Sequence, residues 1–178
     1  MLQQLIAVSP EGNLFTDVNL RLGGFHLLMS FMEAIGNIMS GSGIKEVWST
    51  IYAPNVASQL LTGHLYSRTL RAHFLTQRAL VQIIFNHCNF DHLHADALKL
   101  LKNLNDNSHF DDLEKNLTIT EICNIVNVQL DELREQGNTA RLWVQYYHAV
   151  NLMRNFVEAE RSGNSTTVKS LLMDPPPP

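Results

Sequence analysis

The densest group of side chains able to bind a metal or carry a proton lies in "NHCNFDHLH", where His87, Cys88, Asp91, His92 and His94 fall close together. Imidazole and thiolate suit zinc, but structural zinc sites need four ligands at recognisable spacing, often as two separated pairs. Here the candidates crowd into one stretch, and the other cysteine, Cys123, stands far away in sequence. A solvated loop carrying several histidines accounts for the group, and no metal is assigned to it.

Four other groups merit weighing. The Gly23-Gly24-Phe25-His26 corner could present backbone N–H groups to an anion at a helix start. Two glycines fall short of a phosphate-binding loop, which needs more glycines and a lysine, so the corner reads as a strand handing over to a helix. Arg68, Arg71 and Arg78 are separated by offsets of 3 and 7, close to whole helical turns. On one face they are candidates for contact with nucleic-acid phosphates, each adding a salt-sensitive term, although arginine also serves solubility there. Glu158, Glu160 and Arg161 read as a solvated helix end. Trp48, Trp143, Tyr146 and Tyr147 read as core or interface aromatics, since large rings contribute most to packing. No Ser-His-Asp or Cys-His arrangement is recognisable from spacing, because such partners meet only in the fold.

The elements that must position these groups are mostly helical. "LFTDVNLRL" alternates with period two and is the one good strand candidate. After it, Phe25, Leu28, Met32, Ile35 and Met39 recur at intervals of 3 and 4, which predicts one buried helix face. "SGSG" ends that helix, and "IKEVWSTIY" follows as a short one that stops before Pro54. Pro54 suits the first turn of "PNVASQLL".

"HLYSRTLRAHFLTQRALVQIIF" predicts a long helix with Leu65, Leu70, Phe74, Ala79, Leu80, Ile83 and Ile84 as its apolar stripe. "ADALKLLKNLN" predicts a short amphipathic helix. "ITEICNIVNVQLDELREQ" predicts another, with Thr118 as cap and Glu121 as its capping-box partner. Leu142, Tyr146, Ala149, Val150, Met153, Phe156 and Val157 mark the last long helix, broken at "RSGNS". The expectation is a single mainly α domain over residues 1–174, with about six or seven helices, one or two short N-terminal strands, and a proline tail at 175–178.

Composition narrows the function classes. The 178 residues suffice for one domain with a sizeable core. A net charge of -4 gives no global basic footprint for nucleic acid. The charge is uneven, however: residues 1–90 hold five Lys/Arg against four Asp/Glu, leaving eight against thirteen beyond. Any polyanion contact is therefore expected from the first half. Two cysteines make no disulfide framework, and no signal segment or membrane-spanning apolar run is visible, so an intracellular protein without a membrane span is expected.

Two blocks carry a family resemblance. "LRLGGFHLLMSFMEAIGNIMSGSG", "EVWSTIYAPN" and "LLTGHLYSRTLRAHFL", within residues 20–84, and "RLWVQYYHAVNLMRNFVEAERSGN", residues 141–164, resemble a family scattered through animal genomes and associated with mobile elements. The resemblance implies a transposase-derived protein, part of an incomplete ribonuclease-H-like α/β fold. An active member would need carboxylates converging on divalent metal, for which Asp17, Glu33, Glu158 and Glu160 are the residues to watch. Relatives carry a considerable region before the Gly-Gly block, so this chain is expected to be a fragment.

Together these readings predict a non-catalytic, transposase-like remnant that needs no cofactor. One alternative is a nuclease or strand-transfer enzyme acting on DNA with divalent metal. The other is a helical interaction module that binds a protein partner, or itself, through uncovered apolar surface. DNA through Arg68, Arg71 and Arg78 is the nucleic-acid partner expected.

Overall fold

Periodicity in the sequence becomes six helices in the computed structural model, which describes residues 24–90, 117–163 and 170. They are α1 (Gly24–Ile38), α2 (Ile44–Ser49), α3 (Pro54–Leu61), α4 (Tyr66–His87), α5 (Leu117–Glu135) and α6 (Asn138–Ser162). The described residues contain no strand and form a mainly α single domain. The expected N-terminal strands, the helix at 95–105, Asp17, Asp91, His92, His94 and the proline tail lie outside the described residues.

The breaks between helices follow local chemistry. Gly43 precedes α2 at φ 93° and Gly163 follows α6 at φ 69°, left-handed conformations that a side chain resists. Pro54 opens α3, where its missing N–H costs no hydrogen bond. Helix α5 is described from Leu117 on, with Thr118 and Glu121 in its first turns.

The main core joins α1, α2, α3, α4 and α6 around Met32, Trp48, Leu60, Val150 and Met153. On α1 the stripe buries Leu28, Met32 and Ile35, with Met39 following, as the 3-and-4 spacing requires. Phe25 departs from it: at the first turn it is 51% exposed, with no described element closing over that end of the stripe. A smaller cluster of Ile84, Leu130 and Val144 ties α5 to α4 and α6.

Gly36 explains how α1 and α3 cross so closely. A Cβ added there would stand 1.9 Å from the Leu61 carbonyl oxygen. Only a hydrogen fits between the two backbones.

On α4 the expected apolar stripe is buried only in part, with Leu65, Phe74 and Leu80 half-buried against the core. Leu70 and Ile84 are buried, but Ala79 and Ile83 are exposed, while Thr69, His73, Thr76 and Gln77 are buried. His73 and Gln77 bond to α6, so the α4–α6 seam is held by hydrogen bonds as well as by apolar packing. Of the large apolar side chains, Ile38, Ile51 and Val128 remain exposed.

Candidate anion-binding cleft between two helices

Helices α4 and α6 run antiparallel: Tyr66 and Arg161 line one pocket at one end, while Ile84 clusters with Val144 at the other. Between them lies a layer of paired polar groups. The Trp48 indole N–H donates to Thr76 Oγ1 at 2.9 Å, and that hydroxyl donates to the Ala72 carbonyl at 2.9 Å. His73 Nδ1 meets the Tyr146 hydroxyl at 2.9 Å, and its ring stands edge-on to Trp48 at 5.1 Å between centroids.

His73 has no exposure, and burial lowers its pKa to about 4, so it is neutral at pH 7. Burial likewise pushes the Tyr146 phenol well above its ordinary range. Both groups therefore act as hydrogen-bonding parts of the core. Neither is a proton carrier at pH 7.

Gln77 extends this layer to the surface. Only 3% exposed, it donates through Nε2 to the Tyr147 carbonyl at 3.4 Å and to Asn151 Oδ1 at 3.2 Å. Its Oε1 accepts from both Nε (3.3 Å) and Nη2 (3.0 Å) of Arg154. The same guanidinium lies over the Phe74 ring, 4.6 Å from its centroid. Arg154 is thus pinned by its edge and its face, and the amide that pins it is neutral, so its charge is kept.

That guanidinium borders an open cleft of about 670 Å³. Arg71 and Arg78 of α4 line it from one side, Arg154 and Arg161 of α6 from the other, with Tyr66 and Phe74 between. Among the described residues no acidic side chain lines it. Four like charges around one concavity focus a positive potential that water screens less than on a flat surface. The geometry offers forked N–H donors for phosphate or carboxylate.

Of the three arginines singled out in the sequence, Arg71 and Arg78 reach this cleft and Arg68 does not. The cause is helical drift. At roughly 100° per residue, a step of seven returns Arg78 to within about 20° of Arg71, but Arg68 stands about 60° off, on the side away from Phe74 and most of the α4 lining. Arg154 and Arg161 repeat the seven-residue step on α6, and that shared spacing is the signal sequence reading passed over.

The other candidates are dispersed. His87 is exposed, its Nδ1 at 2.8 Å from the Ile83 carbonyl. Burial and the nearby Glu132 carboxylate push the Cys88 thiol up, which disfavours the thiolate. Cys88 and Cys123 are both free. Among the described residues no three His, Cys, Asp or Glu side chains come together as a metal site, so Glu33, Glu158 and Glu160 form none.

The Gly-Gly corner has a different use from an anion-binding turn. Gly24 opens α1, and a Cβ there would meet the Glu160 carboxylate at 2.6 Å. Among the described residues no helix is long and apolar enough to cross a membrane.

A family model described as a domain of unknown function (DUF8702) matches residues 2–169. The chain belongs to that family. Searches of curated proteins and of solved structures find no match. Within this DUF8702 member, the match takes in both sequence blocks and all four arginines of the cleft.

Proposed function

We propose that this chain is a non-catalytic helical domain, descended from a mobile-element protein of transposase type, that binds the phosphates of nucleic acid in the α4–α6 cleft. The carrying observation is the convergence of Arg71, Arg78, Arg154 and Arg161 on one concavity that no acidic side chain lines among the described residues. The two sequence blocks support the descent, and the second of them contributes Arg154 and Arg161 to the cleft. Binding is favoured over catalysis because the converging groups are guanidiniums. These hold and orient phosphate but stay protonated, so they supply no general base.

The test is retention on immobilised single-stranded DNA at low salt. The double variant Arg71→Glu/Arg78→Glu should abolish retention, while Arg68→Glu, outside the cleft, should leave most of it. Retention that resists salt, or that Arg68→Glu weakens as much as the double variant does, would contradict the proposal. DNA cleavage on addition of magnesium or manganese would favour the nuclease alternative instead.

A further inference from the structure

The arginine cleft adjoins a second, smaller pocket of about 190 Å³, since Tyr66 and Arg161 line both. The two spaces differ in chemistry. Phe25, Tyr66 and Phe156 give the smaller pocket aromatic walls, and Glu160 brings a carboxylate to it. Phe25 and Tyr66 touch with their rings tilted, 4.7 Å between centroids, and Phe25 is 51% exposed. A large aromatic ring thus stands half in water beside a cationic cleft.

Resting on the phosphate-binding reading above, we infer that this pocket takes an unpaired nucleobase, so that the site is selective for single-stranded nucleic acid. The arginines hold the backbone, and the exposed Phe25 ring offers a platform on which a base can stack. Every base has a π-face, so such a platform tolerates any sequence. The Glu160 carboxylate repels phosphate from this end and accepts hydrogen bonds from the amino or imino edge of a base. A base inside a duplex is stacked and paired and cannot enter. A space worth roughly six waters suits one ring system and not a base pair.

The Glu160 carboxylate packs against Gly24, where a Cβ would make it shift.

The experiment measures binding of the full chain, at low salt, to three fluorescent probes of equal length: a mixed-sequence single strand, the same strand with all bases removed, and its duplex. The intact single strand should bind at least about tenfold more tightly than the abasic strand, the scale of one stacked base. It should also bind more tightly than the duplex. Phe25→Ala, at an exposed position, should remove that advantage and leave abasic binding unchanged. Equal binding of intact and abasic strands, or preference for duplex, would overturn the base pocket while leaving the phosphate cleft standing. If no probe binds, the phosphate reading fails, and the inference fails with it. Far-UV circular dichroism of Phe25→Ala separates loss of stacking from loss of fold.

Discussion

Acidification should unfold this protein through one residue. His73 sits fully buried between α4 and α6, hydrogen-bonded to Tyr146 and edge-on to Trp48. Its pKa of about 4 compares with 6.5 in the unfolded chain. Between those values the unfolded chain binds a proton at His73 that the folded chain refuses, so lowering the pH favours unfolding. The stability is intact above pH 6.5, is lost progressively as the pH falls towards 4, and changes no further below that from this group.

At roughly 1.4 kcal/mol per pH unit, the gap is worth about 3 kcal/mol, of which about 2 kcal/mol is lost between pH 7 and pH 5. The half-buried His148, lowered by desolvation and then by Arg134, adds in the same direction. Urea unfolding at pH 7, 6 and 5 reads this directly. With a slope of about 2 kcal/mol per M, the midpoint should fall by about 1 M. His73→Gln removes the titration and keeps hydrogen-bonding atoms. It is less stable at pH 7, but its stability should change much less with pH. A wild-type midpoint that stays constant from pH 7 to pH 5, or an equal fall in His73→Gln, would refute the reasoning.

Gly36→Ala should destabilise the fold by about 2 kcal/mol. The new Cβ would stand 1.9 Å from a backbone oxygen, which cannot rotate away, and overpacking of this kind outweighs the gain of about 1 kcal/mol in helix propensity. Thermal unfolding should show a loss of about 4–8 °C, and an unchanged or raised midpoint would mean that α1 and α3 do not cross at Gly36. Gln77→Leu should unpin Arg154 without changing the charge of the cleft. Oligonucleotide affinity should then fall several-fold, the cost of ordering one long side chain on binding, while its salt dependence keeps the same slope.

The helices were legible because burial imposes a period. Leu28, Met32 and Ile35 on α1 and Val150, Met153, Phe156 and Val157 on α6 are spaced for one face, and that face is buried. On α4 the same reasoning found the buried face only in part, since hydrogen bonds to α6 and Trp48 compensate for burying His73, Thr76 and Gln77. The bonds to α6 connect residues about seventy positions apart and the one from Trp48 spans 28, and no local spacing reveals them.

The cleft was half legible for a related reason. Arg71 and Arg78 could be picked from their own helix, but Arg154 and Arg161 join them only through the antiparallel pairing of α4 with α6. Arg68 looked equivalent because a step of three approximates a turn, and the remaining error carries it off the cleft. The contact of Gly24 with Glu160, far apart in sequence, required the fold itself.

The salt dependence of oligonucleotide binding tests the arginine cleft most directly. Each phosphate held by an arginine releases condensed counterions, contributing about 0.7 to 0.9 to the slope of log affinity against log salt. Four arginines predict a slope of about −3, falling to about −1.5 in Arg71→Ala/Arg78→Ala. A slope near zero, or one that the double variant leaves unchanged, would contradict phosphate binding in this cleft.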